Sequence, residues 1–422
     1  MPNKLFYVCL DGLGDDPLEE LGGRTPVEAA ATPFLDDLAR RGRQGLVHTV
    51  GPDIAPESDI AVFAILGYDP REEHPGRGVL EAIGSGMAFE DGSLAHRVNF
   101  ATIDGGTIID RRVGRDLPSA ESQALAAEVT QGLDLPGVTA ELKATIEHRG
   151  ALVLRPAEGR LSANVSNTDP AYAKEGTLGV ALETYEDRPA VCEPLDDTDE
   201  AARSAELTNL ALAQAGTILE ASDVNGRRRA EGRLPANLVL TRDAGDHIPK
   251  LQPIADRFGP SWGCFVEMPV ERGIAMVLGM GEVPAPMPED DHERYEAWAG
   301  LAAEAIDGYD ALYVHIKGPD VPAHDGRGDD KRAVCETIDE AFFGTLLSAI
   351  GPDRALFVVT ADHSTSCARK AHTADAVPLV VAGPGVAADG TESFSERAAA
   401  EGSIGTIGGV DILPRVVGLL SG

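Results

Sequence analysis

The chain has 422 residues, with 69 Asp and Glu against 36 Lys and Arg, a formal charge of −33. That balance excludes nucleic acid and an anionic membrane as main partners, because both require cationic surface. Any anionic substrate then needs a local island of positive charge, and only 7 of the 36 basic residues are lysines, so arginine has to form it.

The length suits two domains. No apolar run approaches the about 18 residues of a membrane span. The N-terminal run in MPNKLFYVCLDGLGDD is too short and too quickly acidic for a signal peptide. Cys9, Cys192, Cys264, Cys335 and Cys367 are scattered without a CxxC pair. That spacing argues against a disulfide framework and predicts a reduced, cytoplasmic protein.

In chain order, Leu5 to Leu10 reads as a buried strand ending at Asp11. Thr32 then precedes Pro33, with Phe34, Leu35 and Leu38 at helical spacing before Gly42, which predicts a short capped helix. From about residue 86 to 230 the pattern changes. Hairpin-like pieces lie at 99–103 and 107–109, a strand at 151–154, an acidic stretch at 183–206 and a helix at 201–220. Asn225 to Arg229 reads as a basic joint, after which the first sheet is expected to resume near Leu238-Val239-Leu240. Further buried strands are predicted at 311–316, 355–359 and 378–382, with a helix at 331–350 presenting Val334, Ile338, Phe342 and Leu346 on one face. Strands without polar alternation, separated by helices, predict a doubly wound, mostly parallel α/β sheet. The expected division is a core of 1–85 and 231–422, interrupted by a smaller α+β domain at 86–230.

Functional residues of such sheets gather at the carboxyl ends of strands. Five segments near those ends supply metal-capable side chains: Asp11; Ser58; Asp320 with His324; Asp362-His363; and His372. Any one of these aspartates alone reads as a turn or helix cap. Together, carboxylate and imidazole without thiolate suit Mn²⁺ or Zn²⁺. Two ions about 4 Å apart would clamp the attacking and leaving oxygens of a phosphoryl displacement, with Ser58 as nucleophile. The anion would meet Arg111, Arg112 and Arg115, within five residues of one another, with Arg97 and Arg149 at the edges of nearby strands. Guanidinium binds phosphate and carboxylate through paired donors. Asp169 is a candidate base or hydroxyl-orienting group, or a turn residue before Pro170.

These residues resemble the alkaline phosphatase superfamily and, within it, the archaeal type of cofactor-independent phosphoglycerate mutase. The resemblance runs nearly end to end. It includes Asp11-Gly-Leu-Gly-Asp15, Ser58-Asp59, Ala64-Ile-Leu-Gly-Tyr-Asp-Pro70, Asp110-Arg-Arg-Val-Gly-Arg115, Ser166-Asn-Thr-Asp-Pro170, Lys317-Gly-Pro-Asp320 and Asp362-His-Ser364. It implies an alkaline phosphatase-like core, an inserted substrate-binding domain, and interconversion of 3- and 2-phosphoglycerate in glycolysis and gluconeogenesis through a phosphoserine at Ser58. One ion would be held by Asp320, His324 and His372, the other by Asp11, Asp362, His363 and Ser58. Mn²⁺ is the implied ion, with Mg²⁺, Zn²⁺ and Co²⁺ as alternatives, and no 2,3-bisphosphoglycerate is needed. Arg242 and Arg257 stand where relatives carry basic residues. The run Ile60-Ala61-Val62-Phe63 after the Ser-Asp pair departs from many of them. The alternative is a metal-dependent phosphotransferase or phosphatase acting on another small phosphate ester. The implied partner is a small-molecule phosphoglycerate, with neither nucleic acid nor membrane.

Overall fold

A computed structural model describes residues 4–175, 178–182 and 184–420; Glu183, which opens the predicted acidic stretch, lies outside them. The chain divides into two compact units. One is formed by the segments ending at Glu73 and beginning at Leu251, and the other is His74–Lys250.

The first unit is built on an eight-stranded sheet. Its spatial order is Gly281–Glu282, Trp262–Phe265, Ala311–Ile316, Lys4–Leu10, Ala355–Thr360, Val377–Ala382, Arg43–His48 and Gly405–Gly408. Neighbours run parallel except Val377–Ala382, which is antiparallel to both of its partners. The predicted mostly parallel α/β sheet is what forms. Leu5–Leu10, Ala311–Ile316 and Ala355–Val359 are buried at every position, which is why these strands read as unbroken apolar runs.

Helix Pro33–Arg41 follows the predicted pattern, with Leu35, Leu38 and Ala39 buried. The Thr32 side chain, however, does not cap it. The carboxylate of Asp339 does so instead, accepting from the N–H of Phe34 (3.1 Å) and Leu35 (2.8 Å), which satisfies donors with no partner inside the helix. Asp339 sits in the π-helical turn Ile338–Gly344, between helices Gly328–Thr337 and Thr345–Ile350. Ile338, Phe342 and Leu346 are buried there as predicted.

The second unit is a five-stranded antiparallel sheet centred on Leu94–Asp104. That strand pairs with Thr107–Asp110, Arg149–Pro156 and Leu238–Gly245, and Val138–Ala144 continues the sheet beyond Arg149–Pro156. Strand alternation sorts its side chains. Leu94, Val98, Phe100, Leu152 and Leu154 share a core with Leu125 and Val129 of helix Ser119–Gly132 and Leu207 and Ala211 of helix Asp199–Ala221. Ala95, Ala151 and Val153 face Val79 and Ala82 of helix Arg77–Gly84.

This corrects two expectations. Leu238–Leu240 does not resume the first sheet; it pairs with Ala101–Asn99 in the second, because an apolar run carries no label for which sheet receives it. For the same reason the expected boundaries at 85/86 and 230/231 fall inside the second unit: they separate helix Arg77–Gly84 and strand Leu238–Gly245 from the sheet they complete.

Arg227–Arg229 is not a joint either, but the last turn of helix Asp223–Ala230. Arg228 is 1% exposed and donates to Glu121 Oε2 (2.6 Å) and the Leu234 carbonyl (2.7 Å), and it pairs with Asp116. Removing one partner of a buried charge pair is strongly destabilising, so Arg228→Ala is expected to cost about 3 kcal/mol. A urea midpoint unchanged at constant m-value would contradict this.

Among the described residues no helix is long and apolar enough to cross a membrane.

Candidate active site

Two side-chain groups stand out, one in each unit. In the first unit, parallel pairing of Lys4–Leu10 with Ala311–Ile316 and Ala355–Thr360 puts three strand ends side by side. Asp11 follows the first strand, Asp320 opens helix Asp320–Asp325 after the second, and Asp362-His363 follows the third. The hairpin Ser364–Ser366/Ala371–Thr373 then returns His372 opposite Thr365. Ser58 begins helix Ser58–Ile65, which is buried along its whole length. The residues predicted as metal-facing are therefore brought together from separated parts of the chain.

Hydrogen bonds settle which imidazole nitrogens carry protons. Carbonyl oxygens only accept. His324 Nδ1 lies 3.2 Å from the Lys370 carbonyl and His372 Nδ1 lies 2.8 Å from that of Pro56, so both Nδ1 atoms donate. As neutral imidazoles, as a metal would bind them, the two rings then present bare Nε2 atoms, which lie 3.2 Å apart. Asp320 Oδ1 is 3.4 Å from the first and 3.7 Å from the second. His363 is fixed through a relay: Thr365 Oγ1 donates to Asp320 Oδ1 (2.8 Å) and so accepts from His363 Nδ1 (3.0 Å). The bare His363 Nε2 faces Ser58 Oγ at 3.2 Å, Asp362 Oδ2 at 3.3 Å and Asp11 Oδ1 at 3.6 Å.

These donors fit divalent cations. Asp11 Oδ1 and Asp362 Oδ2 are buried without a hydrogen-bond partner, an arrangement that costs free energy unless a cation compensates it. Burial and the adjacent Asp11 carboxylate push Asp362 up to about 7, the expected response of crowded carboxylates. Burial likewise holds His363 well below its ordinary value, and so neutral. Ligand atoms of Asp320, His363 and His372, and of Asp11, Asp362 and His363, lie within 4.8 Å of one another. Hydrogen bonds from Nδ1 to a carbonyl or hydroxyl oxygen are what orient imidazole toward a metal. Gly12, with φ of +64°, completes the cradle: a Cβ there would lie 2.7 Å from Thr365 Oγ1 and 2.8 Å from Asp320 Cβ.

Sequence reasoning missed Lys317, His315 and Thr365 as site residues. Lys317 Nζ lies 2.8 Å from Asp11 Oδ2 and 3.0 Å from Asp320 Oδ2, and His315 Nε2 lies 2.9 Å from Asp11 Oδ2. No local signal marks them: Lys317 lies just past strand Ala311–Ile316, and each reaches the site through pairing with a neighbouring strand.

The second unit holds the arginines. Arg97 lies in strand Leu94–Asp104, Arg149 opens strand Arg149–Pro156, and Arg242 lies in strand Leu238–Gly245. Arg111, Arg112 and Arg115 occupy the turn after Thr107–Asp110. Arg77 joins them, forming salt bridges with Glu81 as Arg97 does. Burial, reinforced by Arg149, Arg112, Arg97 and Arg115, pushes His148 down to about 2, which marks the region as strongly positive. Burial and the charges of Arg115, Arg111 and Arg149 also lower Arg112.

Two predicted substrate residues are engaged with each other: Arg111 donates to both oxygens of Asp169, at 2.8 and 2.6 Å. Asp169 is 1% exposed, so this two-point contact is buried and fixes the orientation of Arg111. Arg242 stacks on Tyr172 at 3.5 Å. Arg257 belongs to the first unit, where it pairs with Glu73 at 2.9 Å and lies over the Tyr68 ring.

Backbone strain collects around these positions. The non-glycine residues with left-handed φ among those described are Val113, Arg115, Glu147, Asp243 and Lys370. Each is, or lies within two residues of, a candidate site residue. Left-handed φ in a β-branched residue such as Val113 is costly and persists where surrounding structure imposes it, commonly at functional sites.

Comparisons with known proteins agree with this arrangement. Residues 39–225 match the family described as 2,3-bisphosphoglycerate-independent phosphoglycerate mutase. A protein of that name from Aeropyrum pernix is 42% identical over 99% of this chain and its own full length. Another from Methanopyrus kandleri is 36% identical over 98% of this chain and 95% of its own. The solved PH0037 protein of Pyrococcus horikoshii is similar with a TM-score of 0.81 at 27% identity, covering 100% of this chain and 98% of that one. The cofactor-independent phosphoglycerate mutase of Thermoplasma acidophilum is similar with a TM-score of 0.64 at 31% identity, covering 99% and 100%. With end-to-end similarity at that identity, the chain belongs to the 2,3-bisphosphoglycerate-independent phosphoglycerate mutase family.

Proposed function

We propose that the chain is an isomerase interconverting 3-phosphoglycerate and 2-phosphoglycerate, the step shared by glycolysis and gluconeogenesis, through a phosphoserine at Ser58. The observation that carries this reading is the convergence of bare His324, His363 and His372 Nε2 atoms and partnerless Asp11 and Asp362 oxygens beside Ser58.

Asp320, His324 and His372 would hold one divalent ion, and Asp11, Asp362, His363 and Ser58 the other. Mn²⁺ is the proposed ion, with Zn²⁺, Mg²⁺ and Co²⁺ able to use the same nitrogen and oxygen donors. When bound, such ions supply charge stabilisation to a transferring phosphoryl group.

Ser58 Oγ gives up its proton and forms a bond to phosphorus as the bond from phosphorus to the C3 oxygen breaks and that oxygen takes a proton. After glycerate turns, its C2 oxygen loses its proton and attacks phosphorus, and Ser58 Oγ leaves and is reprotonated. The phosphoryl group returns to the same molecule, so no bisphosphorylated cofactor enters the balance. Amides at the start of helix Ser58–Ile65 face an anion on Ser58 favourably. Arg97, Arg112, Arg115, Arg149 and Arg242 would hold the carboxylate and phosphate charges, with Asp169 fixing Arg111. Five buried free thiols accord with a reduced cytoplasmic setting.

A coupled assay for conversion of 3-phosphoglycerate, without added bisphosphoglycerate, tests the reading. Release of inorganic phosphate in place of 2-phosphoglycerate would make it a phosphatase. Arg112→Ala and Arg115→Ala are each expected to lower kcat/KM by about 10- to 100-fold, the worth of one charge-assisted contact, while leaving metal affinity unchanged. Unaltered kinetics in both variants would remove these residues from the substrate site.

A further inference from the structure

Lys317 occupies an unusual position between two carboxylates that the two-metal reading assigns to different ions. Register explains how it arrives there. Leu10 pairs with Ile316 in neighbouring parallel strands, and the Asp11 N–H donates to the Ile316 carbonyl at 2.9 Å. Asp11 and Lys317 therefore leave adjacent strands side by side. The Lys317 N–H is anchored on Glu267 Oε1 at 2.9 Å, which directs the side chain across the strand ends. Its ammonium spans Asp11 Oδ2 at 2.8 Å and Asp320 Oδ2 at 3.0 Å.

The remaining oxygens divide sharply. Asp11 Oδ2 also takes the His315 contact at 2.9 Å, while Asp11 Oδ1 has no partner and lies 3.6 Å from His363 Nε2. Asp320 Oδ1 faces Thr365 and the bare Nε2 atoms of His324 and His372. In both carboxylates one oxygen is held by the lysine and the other faces imidazole nitrogen.

We infer that Lys317 is a built-in third cation of the metal centre. It limits Asp11 and Asp320 to one metal-facing oxygen each, holds the two carboxylates together when no ion is bound, and weakens both metal sites by its charge. Lys317 is thus a positioning residue, acting through Asp11 and Asp320, and this inference rests on the two-metal reading of the site. A purely structural lysine would behave oppositely, since its loss would loosen the ligands and weaken metal binding.

The test is Mn²⁺ affinity and stoichiometry of the metal-free full chain, by competition with a chromogenic chelator. Removing a unit charge a few ångströms from a divalent ion strengthens binding, so Lys317→Met is expected to bind Mn²⁺ at least about tenfold more tightly than the parent. Lys317→Arg keeps the charge and is expected to stay within about threefold of the parent. If Lys317→Met does not fold, Lys317→Gln removes the charge while retaining a donor and carries the same expectation. Unchanged or weaker binding in the uncharged variant overturns the inference, as does an equal gain in Lys317→Arg. A parent chain that binds no Mn²⁺ overturns the two-metal reading itself, which separates the two failures.

Discussion

Ser58→Ala is expected to abolish isomerisation, lowering kcat by at least about 10⁴-fold, the scale seen when a covalent nucleophile is removed. The expectation follows from position. Ser58 Oγ lies 3.2 Å from the bare His363 Nε2, at the first position of a wholly buried helix. A neighbouring water has no equivalent anchor and cannot hold the phosphoryl group for return to the C2 oxygen. Stability should change little, because the substitution removes one hydrogen bond worth about 1 kcal/mol. Loss of activity with an unchanged melting temperature therefore supports the nucleophile. Substantial residual isomerisation in a metal-loaded Ser58→Ala protein would assign the chemistry elsewhere.

Metal removal is the second large effect. Stripping the protein with a chelator is expected to eliminate turnover and lower the melting temperature by several degrees, both reversed by adding Mn²⁺. Asp11 Oδ1 and Asp362 Oδ2 are buried without hydrogen-bond partners and two imidazole nitrogens lie 3.2 Å apart, a donor set that a cation would stabilise. A ligand binding only the folded state stabilises it by about 2.7 kcal/mol at 100 times its dissociation constant. Differential scanning at fixed protein concentration measures this. A melting temperature indifferent to both chelator and Mn²⁺ would mean that the cluster is held by its own hydrogen bonds.

Much of the metal-facing group was legible because it sits where strand runs end. Unbroken apolar segments such as Leu5–Leu10 and Ala355–Val359 locate the strands, and the first ionisable residues beyond them are Asp11 and the pair Asp362-His363. His372 was legible as a metal-capable residue ahead of the apolar run 378–382, although nothing local marks the hairpin that carries it back opposite Thr365. Lys317 and Thr365 escaped notice because their roles arise from register between strands, Leu10 against Ile316 and Thr365 against His372. Pairing of that kind is non-local and leaves no trace in spacing.

The misplaced boundaries have the same origin. The run Leu238-Val239-Leu240 reads as apolar whichever sheet it joins, and only the pairing of its strand with Leu94–Asp104 assigns it to the second unit. Arg228 shows the converse limit. A run of three arginines reads as solvated surface, yet one of them is buried against Asp116 and Glu121, more than 100 residues earlier in the chain.

The net charge of the chain is resolved locally. A chain of −33 gathers its arginines around His148, Arg111 and Tyr172 in one unit, while carboxylates and imidazoles assemble a cation site in the other.

On the proposed mechanism the phosphoryl group passes through Ser58 and returns to glycerate without meeting water. Running the reaction from 3-phosphoglycerate in ¹⁸O-labelled water measures this directly. The expected product is 2-phosphoglycerate whose phosphoryl oxygens carry no label, with no labelled inorganic phosphate formed during approach to equilibrium. Labelled inorganic phosphate in place of 2-phosphoglycerate would contradict it.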